Sequence, residues 1–122
     1  MIGSTRNLHV YVHPGAADMR KGYDGLFALT RDAIGQDPLS GHLFLFVARN
    51  RKRAKVLFWD GTGLVIYMKR LEQGRFVAVW ERESKTLTVS ELALFLEGST
   101  ALKSTSLSPS CFLPGSLFST SS

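Results

Sequence analysis

Between Arg49 and Lys55, in the stretch RNRKRAK, five of seven residues are cationic: Arg49, Arg51, Lys52, Arg53 and Lys55. Like charges crowded into one turn repel one another, and a nearby anion relieves them. A polyanion is the fitting counterpart, because cations set against a phosphate backbone displace its condensed counterions and so supply affinity without sequence choice. No acid occurs from Phe44 to Trp59 to neutralise the cluster internally. A second group, Lys69 and Arg70 with Arg75 close behind, ends the next apolar run. From Arg49 to Arg75, eight Lys or Arg stand against two acids, Asp60 and Glu72, in a chain whose formal net charge is only +5. The plainer reading is a solvated hairpin tip, where charge keeps a protein soluble and discourages edge pairing.

Other chemistries have less to work with. His9 and His13 are four apart, but on a strand-like run entering Pro14, and His42 is remote; no metal triad is expected. Asp18, Asp24, Asp32 and Asp37 surround the first helical segment, where capping and solvation account for them. Asp60, before Gly61, has the place of a turn aspartate. A two-metal nuclease or transposase centre needs converging carboxylates, and no three acids here have a reason to converge. The glycines match neither phosphate-loop signature. The lone Cys111 cannot form an internal disulfide or a cysteine zinc site. The expectation is a non-catalytic chain with no metal and no cofactor.

Apolar periodicity outlines the elements that would carry the cations. Leu8–Val12 is β-branched and aromatic enough for a strand, and His13–Asp18 reads as a turn with Asp18 as N-cap. Leu26, Leu29, Thr30 and Ala33 recur at helical spacing, so a helix is predicted over Tyr23–Ile34, with Gly35 just past its end. His42–Ala48 is apolar after its histidine, as in a central strand buried on both faces. Arg53–Asp60 and Leu64–Arg70 are two further strands joined by a tight turn at Gly61–Gly63, and Arg75–Trp80 a fifth run. Thr86–Val89 reads as an edge strand or a helix lead-in, and Thr88 with Glu91 fits a capping box for a last helix ending at Gly98. The fold expected is α+β: an antiparallel four- to five-stranded meander with one helix before and one helix after the sheet.

The turn length at Gly61–Gly63 decides which side chains share a face. A three-residue loop would pair Leu57 with Tyr67 and Lys55 with Lys69, merging cations and aromatics into one surface. A two-residue loop would separate Tyr67 and Lys69 from Trp59. The sequence leaves both open. Trp59, Tyr67 and Trp80 are candidates either for stacking on unpaired bases or for the core.

With 122 residues the chain has room for one domain, read as 1–98. Residues 99–122 contain nine serines and a single charge, Lys103, and are expected to be disordered. No apolar run is long enough for a membrane span, and the N-terminus lacks a signal-peptide pattern, so a cytoplasmic address is expected.

Four blocks, ADMRKGYDGL (Ala17–Leu26), DPLSGHLFLFVARNRKRAKVLFWDGTGL (Asp37–Leu64), YMKRLEQGRF (Tyr67–Phe76) and LTVSELALFLEG (Leu87–Gly98), occur in this order. Together they resemble the TnpB-type accessory protein encoded by the second open reading frame of insertion sequence family sixty-six. This protein is distinct from the RNA-guided nuclease that shares the TnpB name. The resemblance implies a bacterial mobile element and DNA recombination, with cleavage and joining done by a separate transposase. It adds Arg20 and Lys21, which sit in a matching block, to the candidate DNA-binding set of Arg49, Arg51, Lys52, Arg53, Lys55, Lys69, Arg70 and Arg75. The chain departs from the family where members often carry Trp-Pro after the GRF block; here the run is FVAVWERES. Two functions follow as expectations. The first is a DNA-binding transposase accessory acting through a basic β-hairpin. The second is an interaction module that docks on the transposase without touching DNA, drawing on the apolar Leu92, Leu94, Phe95 and Leu96.

Overall fold

A computed structural model describes residues 8–98. The order is β1 (Val10–Ala17), α1 (Tyr23–Leu29, prolonged by a π-helical turn over Thr30–Ile34), β2 (Leu43–Ala48), β3 (Arg53–Trp59), β4 (Leu64–Arg70), a 3₁₀ turn (Val79–Glu81), β5 (Thr86–Leu87) and α2 (Val89–Leu96). The strands form one five-stranded sheet in the order β4-β3-β2-β1-β5.

The α+β class holds, but the sheet is mixed rather than an antiparallel meander. β1 lies parallel to β2, with Val10 beside Leu43 and Ala17 beside Ala48. Parallel neighbours need a crossover, and α1 supplies it. The first helix therefore sits between two strands of the sheet, not before it. The β2–β3 and β3–β4 pairs are antiparallel, and the two-residue β5 closes the far edge against β1.

The continuous apolar run of β2 follows from burial on both faces. Phe44 and Phe46 pack with Ala17, Leu26 and Leu57 on the α1 face. Leu45 and Val47 pack with Val12, Val56, Phe76 and Phe95 on the α2 face. Each such side chain contributes on the order of 1.5–3 kcal/mol by leaving water.

Several boundaries differ from the sequence reading. β1 continues to Ala17 through the segment read as a turn, with its register broken between Val12 and Ala16. Pro14 lies in that break, where a missing N–H costs no ladder bond. Asp18 is not the cap of α1. Gly22 holds the N-cap position, and the Asp18 carboxylate instead accepts the Arg20 N–H at 2.9 Å. Gly35 does end the helical segment, at φ +80. The Thr88–Glu91 capping box forms as expected. Arg75–Trp80 is not a strand. Phe76 and Val79 are fully buried there, and the Phe76 ring stacks on Phe95 with centroids 4.8 Å apart. A further strand beyond β4 would have left Phe76 at a sheet edge, whereas folding it inward fills the layer between sheet and α2. The tail read as disordered lies outside the described residues.

Two stability predictions follow. Phe76→Ala should cost about 3–5 kcal/mol in urea unfolding, and Tyr67→Ala on the edge strand less than about 1 kcal/mol. A pH effect should come from His42, whose Nδ1 accepts the His9 N–H at 3.1 Å. Burial, and then the charge of His9, hold His42 below the ordinary value of 6.5. As pH falls through 6.5 the unfolded chain therefore takes up the proton first and the fold loses stability. Melting temperature should drop over that range, and His42→Gln should flatten the drop.

Candidate nucleic-acid interface

Three stretches of chain meet at one end of the sheet. The parallel register sets Ala17 beside Ala48, so the β1–α1 loop (18–22) emerges next to the β2–β3 turn (49–52). The antiparallel register sets Arg53 opposite Arg70, which brings the end of β4 there too. All ten candidate residues lie at or near this end.

The turn that carries most of them is tightly specified. Arg51 takes a left-handed backbone at φ +61, uncommon for a residue with a side chain. Its N–H donates to the Ala48 carbonyl at 2.9 Å, and the Asn50 Oδ1 accepts the Lys52 N–H at 2.9 Å. The chain after β4 then folds back over the turn. Leu71 N–H donates to the Lys52 carbonyl at 2.8 Å, and Phe76 N–H to the Arg51 carbonyl at 2.7 Å. The Arg51 guanidinium completes the clasp by donating to the Phe76 carbonyl at 3.3 Å. This clasp is what holds Arg75 beside the hairpin.

Side-chain placement divides the candidates. Lys55 and Lys69 do not lie on the open surface that the charge pattern suggests. Lys55 is only 8% exposed, and its Nζ donates to the Met19 carbonyl at 2.9 Å and the Lys21 carbonyl at 2.8 Å. Lys69 points to the opposite face and donates to the Leu96 carbonyl at 2.8 Å, supplying the positive charge that the C-terminal end of α2 lacks. Arg20 is chelated by Asp18 and Arg70 touches Glu72, but both pairs are exposed and therefore weak. Asp18 is held down to about 2, first by the Arg20 guanidinium and then by the Arg20 N–H. Arg49, Lys52, Arg53 and Arg75 have no side-chain hydrogen bond or ion pair among the described residues. Arg53 and Arg70 also face each other across β3 and β4, a like-charge pairing that costs the sheet stability.

Lys21 owes its course to Gly25. A Cβ on Gly25 would come within 2.9 Å of the Lys21 Cβ and 3.0 Å of its Cγ, so the lysine stem lies against α1 only because that position is bare.

The aromatic half of the expected surface does not form. Trp59 pairs with Leu64 and the Asp60 N–H donates to the Gly63 carbonyl at 3.0 Å, which is the register of the two-residue turn. Asp60 shapes that turn, since its Oδ1 accepts the N–H of Thr62 at 2.9 Å and of Gly63 at 3.0 Å. The same donors hold the Asp60 carboxyl below the ordinary carboxylate range. Tyr67 and Lys69 consequently sit on the α2 face, away from Lys55, Leu57 and Trp59. Trp59 also lies six residues along the strand from Arg53, roughly 20 Å away. Trp80 packs against the core.

One feature was invisible in the sequence. A groove of about 560 Å³ opens between the β1–α1 loop and the hairpin, lined by Ala16, Ala17, Asp18, Met19 and Ala48 and, across from the loop, by Arg49, Asn50 and Arg53. Among the described residues, no three of His, Cys, Asp and Glu come together as metal ligands would. No described helix is long and apolar enough to cross a membrane.

The profile of the family described as IS66 Orf2 like protein matches residues 8–105. The chain belongs to this family. Membership places it in the accessory machinery of insertion-sequence transposition and agrees with the resemblance drawn from the four sequence blocks. Two similar proteins come from Sinorhizobium fredii (strain NBRC 101917 / NGR234). The uncharacterized protein y4jC is 39% identical over 77 residues, which are 63% of this chain and 66% of that relative. The uncharacterized protein y4hO is 34% identical over 101 residues, 80% of this chain and 86% of that relative. No solved structure matches the chain.

The division among the cations is measurable. Lys55→Ala should cost about 2–4 kcal/mol in chemical unfolding, because two carbonyls lose their partner under a loop. Arg49→Ala and Arg53→Ala should change stability by less than about 0.5 kcal/mol.

Proposed function

We propose that this IS66 Orf2-like protein is a non-catalytic accessory of the transposase that binds DNA through the basic end of its sheet. The observation that carries this reading is the convergence of the β1–α1 loop, the β2–β3 turn and the end of β4, which brings to one end of the sheet cations that are unpaired among the described residues. Arg49, Lys52, Arg53 and Arg75 contact phosphates, with Arg20, Lys21 and Arg70 at the flanks. Arg51 shapes the turn. Lys55 and Lys69 contribute long-range charge while their ammonium groups serve the fold. The Arg53–Arg70 pairing supports the reading, since an anion between them would relieve their repulsion. Contacts of this kind fix the position of a duplex and carry no direct sequence information. The setting is the bacterial cytoplasm, where the element's DNA lies.

A second reading, docking on the transposase without DNA, draws on a different observation. Leu92, Phe95 and Leu96 of α2 are consumed by the core and offer no surface. β4, however, is an edge strand in unbroken register with β3, and its Tyr67 and Met68 are 43% and 46% exposed. Such an edge can accept a strand from a partner.

A salt titration of binding to a duplex tests the first reading. With four to six phosphates neutralised, log affinity should fall against log salt with a slope of roughly −4 to −5. Arg49→Gln with Arg53→Gln should shallow that slope by about 2 and weaken all sequences alike. Salt-independent affinity would remove the DNA reading. Retained transposase co-purification after neutralising the hairpin, with no DNA binding by the parent chain, would establish the second.

A further inference from the structure

We propose that the groove at the ends of β1 and β2 seats one unpaired DNA nucleotide, with its base on the alanine–methionine floor and its phosphate against Arg49 and Arg53. The inference rests on the DNA-binding reading above and names the form of DNA that this end of the sheet prefers.

Four observations point the same way. The first is position. The groove lies at the C-terminal ends of the two parallel strands, Ala17 beside Ala48, and sheets with parallel strands commonly receive ligands at that end. The second is size. About 560 Å³ falls within the span of small-ligand pockets, is far more than a bare phosphate fills, and is too small for a duplex to enter.

The third is the floor. The first residues of β1 are Val and Tyr and β2 is otherwise Leu, Phe and Val, but at this end the strands carry Ala16, Ala17 and Ala48. Larger side chains there would fill the space, so the hollow is written into the choice of alanine. Ala17 packs on the α1 face together with Met19, and with Ala48 beside Ala17 these residues give the groove an apolar, polarizable lining. A phosphodiester alone gains nothing from such a surface, whereas the face of an extruded base does.

The fourth is the rim. Arg49 and Arg53 have no acidic partner among the described residues. The one carboxylate on the rim, Asp18, is already engaged by the Arg20 N–H at 2.9 Å, Nε at 3.1 Å and Nη2 at 2.9 Å. Asn50 holds the turn with its Oδ1, which leaves its amide N–H groups to donate to a base edge. The loop wall is firm, because Lys55 ties the carbonyls of Met19 and Lys21 from beneath. A preformed hollow of this kind selects DNA whose base is already unstacked, since a paired base must first be pulled from the helix.

Fluorescence anisotropy on the full chain, with a labelled oligothymidylate and a blunt duplex of equal length at one salt concentration, separates the possibilities. The single strand should bind roughly tenfold tighter than the duplex. Ala48→Leu fills the groove and Met19→Ala strips part of its floor, and neither alters a charge. Both should abolish the preference and leave duplex affinity within about twofold of the parent. Met19→Ala carries the test by itself if thermal melting shows that Ala48→Leu does not fold. Equal binding of the two polymers by the parent, or a preference that survives both substitutions, overturns the groove proposal while the DNA reading stands on its salt slope. Failure to bind either polymer overturns the DNA reading and the groove together.

Discussion

The buried ammonium of Lys55 is the point on which the architecture of this end turns. A charge taken out of water is tolerated only when its donors are satisfied, and two carbonyls of the β1–α1 loop satisfy them. The bond runs from the third strand of the chain to the loop after the first. It thus fixes where α1 begins, how Arg20 and Lys21 leave the sheet, and how far the loop stands from the hairpin. Without that tie, the groove would lose its rigid wall and the two groups of cations their common frame. Lys69 does a like service on the other face, where it joins β4 to the Leu96 carbonyl at the end of α2.

The basic surface is thus smaller than the basic composition. Two of the ten candidate cations are structural, a third shapes a turn, and two carry exposed acid partners. What remains is a cluster at the sheet's end rather than a strip along a strand. Exposed ion pairs are worth little in water, so Arg20 and Arg70 can exchange a carboxylate for a phosphate at small cost. Like charges held together by a sheet register are unfavourable in isolation, and a functional contact is the ordinary reason for a fold to keep such an arrangement.

Much of the fold was legible because local physics repeats it. The run Leu43–Val47 announced a strand covered on both faces, Gly35 a helix end, and Thr88 with Glu91 a capping box. The departures have different causes. Asp18 has the right chemistry for a cap but finds a nearer donor in the Arg20 N–H, outside the helix. Phe76 alternates like a strand residue yet is recruited by Phe95 from a helix almost twenty positions later. At Asp60 the sequence left two registers open, and one carboxylate gathering the N–H groups of Thr62 and Gly63 accompanies the two-residue one. Asp18 and Asp60 were decided by competing local donors, and only Phe76 by a contact outside the local window.

The sequence by itself determined the kind of partner this chain invites. Charge is a property of residues, and no folding can remove eight cations from a stretch with two acids. The four blocks that carry the family likeness are linear as well, and could be read without a fold. Which cations act together was decided only in three dimensions. An antiparallel β1 would have carried Arg20 and Lys21 to the far end of the sheet. The α1 crossover makes β1 parallel and returns them to the hairpin, and it opens the alanine-lined hollow between them. That juxtaposition depends on the direction of a strand, and a strand's direction is set by what the rest of the chain packs against it.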